Sequence, residues 1–411
     1  MAGGGPISEC SGSGRRRAER YEGRVTPYVV LACLVAATGG SIFGYDLGIS
    51  GGVTSMDDFL LKFFPTVYEH KVYHSRDEDY CKYNNQGLTA FTSSLYIAGL
   101  SLTYVASFTT QKYGRKISII IGGISFLLGA TLNASAESLT MLILGRVMLG
   151  AGIGFGNQAV PLYLSEMAPA KFRGALNMMF QLSTTLGILI ANLVNYGTQH
   201  FHPWGWRLSL GLAAVPAALM TLGGIWLPET PNSLIQRGHY EQGKRVLKQI
   251  RGTQSVDAEF DDLLEASAAA NAVKHPFKNI FQRRNRPQLV MAILIPAFQQ
   301  LTGINTFLFY APVFFQSLGF GGNYALISAV VTGAVICGAT LVSIAFVDKL
   351  GRKFFFLEGG LQMLVCHVAI SVLLKLYFGG DKAFSETKHV PIEEMSLLWT
   401  SHWFWKRLVV S

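Results

Sequence analysis

Two charged side chains stand alone inside long apolar runs. Asp46 is the one charged residue of the run 27–50, and Arg146 is the one charged residue of the run 139–163. A carboxylate in an apolar, water-poor setting is expensive, so it marks a functional position by default; the plainer reading is a packing aspartate satisfied by hydroxyls. Arg146 is the basic residue deep enough in the same half of the chain to pair with it. Amides form a second group. Gln299, Gln300 and Asn305 fall within two turns of the run 289–317, and Gln181 lies in the run 176–197. Each amide offers donors and acceptors together. One alone is equally well an interhelical hydrogen bond, worth about 0.6 kcal/mol on average. A cluster of them suits a neutral ligand covered with hydroxyls.

The elements that hold these residues follow from composition. Of 411 residues, 50% are hydrophobic and 14% charged, against about 25% charged in a soluble domain. Mean hydropathy is +0.32, so most of the chain belongs in lipid. A helix needs about 20 apolar residues to cross a bilayer. Nine runs qualify: 27–50, 87–109, 117–136, 139–163, 176–197, 206–227, 289–317, 325–347 and 354–378. Backbone groups in hydrocarbon must be satisfied within the segment, so these are helices. The expected architecture is an all-α membrane protein. A disordered leader (1–25) precedes a six-helix bundle at 26–227, which includes an outer loop at 51–86. A polar helical linker at 228–288, a three-helix partial bundle at 289–380 and a tail at 381–411 follow.

The net charge of +9 does not point to nucleic acid, because the bases fall in short loops between apolar runs. The leader, Lys112-Tyr113-Gly114-Arg115-Lys116, Lys171/Arg173, the linker and Lys349-Leu350-Gly351-Arg352-Lys353 share one side, which the positive-inside rule assigns to the cytoplasm. The pentapeptide Lys-x-Gly-Arg-Lys occurs twice, each time after the second span of its half, as a duplicated bundle requires. Asn133-Ala134-Ser135 falls on the outer side as a weak glycosylation sequon. Of five cysteines, Cys33, Cys337 and Cys366 lie in apolar runs, Cys10 in the leader and Cys81 in the outer loop. The histidines show no metal-binding spacing. No cofactor or catalytic constellation is visible, so the chain does not read as an enzyme.

The ordered motifs resemble those of the major facilitator sugar porters, and most closely the plant hexose/proton symporters of the sugar transport protein group. The matching stretches are Phe43-Gly44-Tyr45-Asp46-Leu47-Gly48, Tyr113-Gly114-Arg115-Lys116, Gly145-Arg146, Pro161-Leu162-Tyr163-Leu164-Ser165-Glu166 with Arg173-Gly174, Pro228-Glu229-Thr230-Pro231, Gln299-Gln300-Leu301-Thr302-Gly303-Ile304-Asn305, and Asp348 with Gly351-Arg352. The resemblance implies a hexose, glucose above all, moved into the cell with protons across the plasma membrane, the N-terminus being cytoplasmic. It makes Asp46 the proton acceptor and Arg146 its charge partner. It assigns Gln181, Gln299, Gln300 and Asn305 to the sugar, with Phe43, Leu47 and Ile188 as apolar walls. It also implies a cytoplasmic ion-pair network of Arg115, Glu166, Arg173, Glu229, Asp348 and Arg352. As exposed pairs these would each stabilise by about 1 kcal/mol or less.

The chain departs from the family in two places. Ile336 stands where relatives usually carry a sugar-contacting asparagine. After Gly380 the family continues into three more spans, and with them go further sugar contacts and the usual disulfide partner of Cys81. Here the chain runs on from Asp381 to Ser411, where the apolar stretch 396–405 is too short to span. Trp399, Trp403 and Trp405 beside Lys406 and Arg407 suit a membrane interface. Two other readings follow: a short, non-transporting form that interferes with intact homologous transporters, and a facilitative sugar uniporter.

Overall fold

The computed structural model describes residues 26–73, 85–169, 172–272, 279–283, 285–304 and 322–378. The tail, Cys81 and Asn305 lie outside the described residues. Among the described residues eight helices are long and apolar enough to cross a bilayer. They are α1 (Pro27–Val53), α4 (Gln86–Tyr113), α5 (Arg115–Ala134), α6 (Leu139–Met167), α7 (Arg173–Thr198), the pair α8 (Gly205–Gly211) and α9 (Ala214–Trp226), α14 (Gly322–Leu350) and α15 (Arg352–Phe378). Short helices α2 (Asp57–Phe63) and α3 (Pro65–Tyr73) follow α1, so the expected outer loop is helical over part of its length. The polar linker forms α10 (Pro231–Gln236), α11 (Tyr240–Arg251) and α12 (Asp257–Asn271). The chain divides into two compact units, 1–345 and 346–411.

Local chemistry sets the helix ends. Pro27 sits in the first turn of α1, where its missing N–H costs nothing, and the Thr26 hydroxyl accepts from Val29 N–H. Asn85 caps α4 and Ser138 caps α6 in the same way. The break between α8 and α9 traces to Pro216, which has no N–H to offer the Leu212 carbonyl. That carbonyl takes a tighter bond from Val215 N–H at 3.0 Å instead. The seventh expected run, 289–317, is not one continuous helix. It begins as α13 (Arg286–Leu301), which ends as Gly303 turns to φ +73.

Helix α6 is the hub, and its glycines fit its neighbours. At 100° per residue, Gly150 and Gly154 share a face, and Gly152 points the opposite way. A methyl group on Gly150 would stand 2.4 Å from the Leu95 carbonyl oxygen of α4. On Gly152 it would stand 2.6 Å from Cβ of Phe126 on α5. The α1–α7 crossing is closer still, since a methyl group on Gly44 would meet the Thr184 carbonyl oxygen at 1.9 Å. Small residues let backbones approach this way in lipid, where apolar surface alone gives helices no reason to associate. The outward faces keep large apolar side chains such as Leu100, Leu128 and Trp226 exposed, as a lipid-facing belt requires.

The end remote from Lys112 and Arg115 is closed by a smaller cluster. Glu137 pairs with Lys62 of α2 at 2.7 Å and with Arg207 of α8, and His202 Nδ1 lies 2.5 Å from Asp58. Lys62 and Arg207 hold the Glu137 carboxyl below the usual glutamate range. At the same end, the asparagine of the expected sequon is not presented to solvent. Asn133 is fully buried in the last turn of α5, its side chain against Gly145 of α6.

If the α1–α7 crossing depends on contact at Gly44, Gly44→Ala destabilises the folded chain by about 1–3 kcal/mol. The measurement is the thermal midpoint of purified protein in detergent, with Gly197→Ala, whose added methyl group meets nothing within 4 Å, as the comparison. Equal midpoints for the two variants would rule out the close crossing.

Candidate functional site

Asp46 and Arg146 meet in the interior of the helix bundle. Asp46 lies on α1 one turn before Ser50, and Arg146 approaches from α6. Arg146 Nη1 donates to Asp46 Oδ1 at 2.7 Å and to Ser50 Oγ at 3.0 Å. Side-chain exposure is 1% for Arg146 and 3% for Asp46. The Ser50 hydroxyl in turn donates to the Asp46 carbonyl at 2.7 Å. The Arg146 Cζ stands 4.0 Å from the centroid of the Phe91 ring, which α4 supplies. Two opposite charges in this setting favour each other's ionised form, and removing one leaves the other buried and unpaired.

Around this pair, α1 is joined to α7 and to α8 by polar contacts that sequence reasoning did not pick out. Asn195 Nδ2 donates to the Gly48 carbonyl at 3.0 Å, and the Tyr45 hydroxyl donates to the Ser209 carbonyl at 3.0 Å. Of the expected ligand-contacting residues, Leu47 and Ile188 are buried and Phe43 half-buried. A methyl group on Gly48 would lie 3.3 Å from the Ile188 Cα, which sets Ile188 beside the Leu47 turn. Gln181 is exposed on α7, and Gln299 and Gln300 are exposed in the last turn of α13. Asn192, which no motif highlighted, donates to the Ala329 carbonyl of α14 at 3.2 Å.

The basic end is built around Gly114, the single residue between α4 and α5. Its φ of +100 permits the turn, and a side chain there would collide with Glu229 Oε2 at 2.1 Å. Glu229 Oε1 accepts from the Arg115 backbone N–H at 3.0 Å, and Glu229 Oε2 lies 3.4 Å from Arg237 Nη2. Arg115 Nη2 donates to Glu166 Oε1 at 2.7 Å and to Gln236 Oε1 at 3.2 Å. Thr230 and Asn232 complete the shell of Glu166 at 2.6 and 2.9 Å. These pairs differ from the exposed ones expected: Arg115 and Glu166 are each only 6% exposed. The linker covers them, with Thr230 both capping α10 and binding Glu166. Arg173 is exposed at the start of α7 and joins no ion pair among the described residues. Asp348 and Arg352 lie at the end of α14 and the start of α15.

No group of three His, Cys, Asp or Glu able to hold a metal occurs among the described residues. The site offers charge compensation, hydroxyl and amide groups in an apolar frame.

Comparison with known proteins agrees with this chemistry. The model of the sugar (and other) transporter family matches residues 32–390. Sugar transport protein 7 of Arabidopsis thaliana is 52% identical over 503 aligned positions, covering 100% of this chain and 97% of that protein. Because 503 aligned positions exceed the 411 residues of this chain, about ninety positions of that relative have no counterpart; with all of this chain covered, they fall inside the alignment. Sugar carrier protein A of Ricinus communis is 60% identical, covering 98% of this chain and 77% of that protein. Among solved structures, the major facilitator proton:xylose symporter XylE bound to 6-bromo-6-deoxy-D-glucose superposes with a TM-score of 0.70 at 24% identity, over 80% of this chain and 71% of that one. The long helices thus form a major facilitator fold with six spans in the N-terminal half and a shorter C-terminal half. The chain belongs to the sugar (and other) transporter family, multi-pass membrane porters rather than enzymes.

Proposed function

We propose that this chain is a proton-coupled monosaccharide porter, moving a hexose such as glucose into the cell at the plasma membrane. The observation that carries the reading is the buried Asp46–Arg146 pair. A proton reaching Asp46 competes with Arg146 for the carboxylate. Once neutral, Asp46 releases α1 from α6, and the two helices are free to rearrange around the sugar. Gln181, Gln299, Gln300 and Asn305 supply donors and acceptors to its hydroxyls, and Phe43, Leu47 and Ile188 form apolar walls. The membrane potential contributes about 2.3 kcal/mol per charge per 100 mV. At roughly 150 mV, one proton per sugar supports about 300-fold accumulation.

In this reading the basic end faces the cytoplasm, as the bases around Gly114 and in the linker require. The Arg115–Glu166 pair with its linker contacts is a latch that holds that end closed until the site is loaded.

A second reading has its own support. The roughly ninety positions of the Arabidopsis relative without a counterpart here have the length of about three spans with their loops. A chain lacking them inside the C-terminal half is a short form that does not transport by itself and lowers uptake by an intact relative made in the same cell.

Uptake of labelled glucose by cells lacking their own hexose transporters separates the two readings. A working symporter accumulates more sugar as external pH falls, because the protonated site loads it, and Asp46→Asn abolishes accumulation. Full accumulation by Asp46→Asn would sink the coupling scheme. The short form gives no uptake alone and depresses that of a co-expressed full-length relative, and sequencing of full-length transcripts from the same gene recovers a second form with about ninety more codons. Failure to find that longer transcript would count against it. For the latch, Glu166→Gln strips the Arg115 guanidinium of its charge partner. It lowers stability by about 3 kcal/mol, read as a drop in thermal midpoint; an unchanged midpoint would show that the pair holds nothing.

A further inference from the structure

The ion pair uses one nitrogen of the arginine. Nη1 donates to both Asp46 and Ser50, while Nε and Nη2 of Arg146 are buried with no hydrogen-bond partner among the described residues. A guanidinium this buried, with two nitrogens unpartnered among the described residues, gains from compensation of another kind. The face of Phe91 provides it. The ring centroid is 4.0 Å from Cζ, within the range where the negative π face attracts a cation. Phe91 is fully buried, and its other neighbours fix it there: its ring lies 5.6 Å from that of Phe59 on α2, which in turn packs on Trp206 at 5.8 Å. The titratable groups acting on this guanidinium are Asp46 from α1 and Tyr96 from α4.

We propose that Phe91 is a positioning residue of the proton-coupling pair, its π face holding the Arg146 charge whenever Asp46 is neutral. The proposal rests on the symport reading. With Asp46 ionised, the carboxylate carries most of the compensation and the ring adds little. When a proton neutralises Asp46, the guanidinium stays charged in the same buried space. The ring face and the Ser50 hydroxyl then remain as its attractions, and the protonated state costs less than it would beside an aliphatic side chain. Removing the π face makes Asp46 harder to protonate. The effect of Phe91 is therefore on the pH at which the pair opens, not on sugar contact.

The test is infrared difference spectroscopy of the full chain in lipid nanodiscs, following the protonated-carboxyl band as pH is lowered, with Asp46→Asn identifying which band is Asp46. Phe91→Leu moves the Asp46 midpoint down by about one pH unit, a tenfold change in proton affinity. Phe91→Trp leaves it near the wild-type value. Trifluorophenylalanine at position 91 keeps the shape of the ring and weakens its negative face, so it tests the same point without a packing defect; it moves the midpoint in the same direction as leucine. An Asp46 band that titrates identically in the wild type, Phe91→Leu and the fluorinated protein overturns the proposal alone. Shifts of equal size in Phe91→Leu and Phe91→Trp overturn it too, because shape and not charge would then be the cause. A wild-type chain in which no band is lost on Asp46→Asn overturns the symport reading, and this proposal with it.

Discussion

A carboxylate and a guanidinium deep in a lipid-embedded bundle are costly to bury, and least so while each compensates the other. Everything around Asp46 and Arg146 serves that constraint. Hydrogen bonds in a dry interior are strong when made and costly when missing, so the helices that bring the two groups together must place them to within a few tenths of an ångström. The close backbone approach at Gly44, together with the alternating faces of Gly150, Gly152 and Gly154, gives that placement. Larger residues there would hold α1, α4, α5 and α7 away from their present axes, and the 2.7 Å contact would open.

The basic end meets the same problem with a different solution. Arg115 and Glu166 are nearly as well shielded as the central pair, but their cover is the polar linker rather than lipid-embedded helices. Glu166 accepts from Arg115, Thr230 and Asn232, so both oxygens are used. Its partners come from two parts of the chain, α5 and the segment around α10, and α10 is six residues long. Thr230 both caps that short helix and binds Glu166, so on the proposed latch scheme the helix and the ion pair open together.

Much of this was legible in the sequence for one reason: charge in an apolar run cannot be accidental. Asp46 and Arg146 stood out as the lone charged residues of their spans, and Glu166 and Arg115 through their motifs. What stayed hidden depends on contacts no pattern encodes. Phe91 is one of 27 phenylalanines, and nothing in its neighbourhood distinguishes a ring that meets an arginine from one that meets lipid. Asn133 fits a sequon only by three residue types in a row, a weak signal that says nothing of burial; the last turn of α5 rolls its side chain onto Gly145. The break of the seventh run at Gly303 was written in the Thr-Gly pair, yet the apolar residues after it continued the pattern and masked the stop. The Arg115–Glu166 pair was expected in the right place and the wrong medium, because burial there comes from the linker folding back, a tertiary event.

The two charge clusters share one helix. Arg146 and Glu166 both lie on α6, 20 positions apart, a separation of about 30 Å along a helix. Pro161 sits inside that helix, five residues before Glu166, and α6 continues through it. In the symport scheme, neutralising Asp46 frees the middle of α6 from α1. In that scheme a shift of α6 that begins at Arg146 meets no loop before Glu166, and Pro161 is the one place on the way where the helix lacks a backbone hydrogen bond. On that scheme the central pair and the end latch need no separate signal between them. On the proposed symport scheme, loading one strains the other, and the contacts of Thr230 and Asn232 with Glu166 oppose that strain at the basic end.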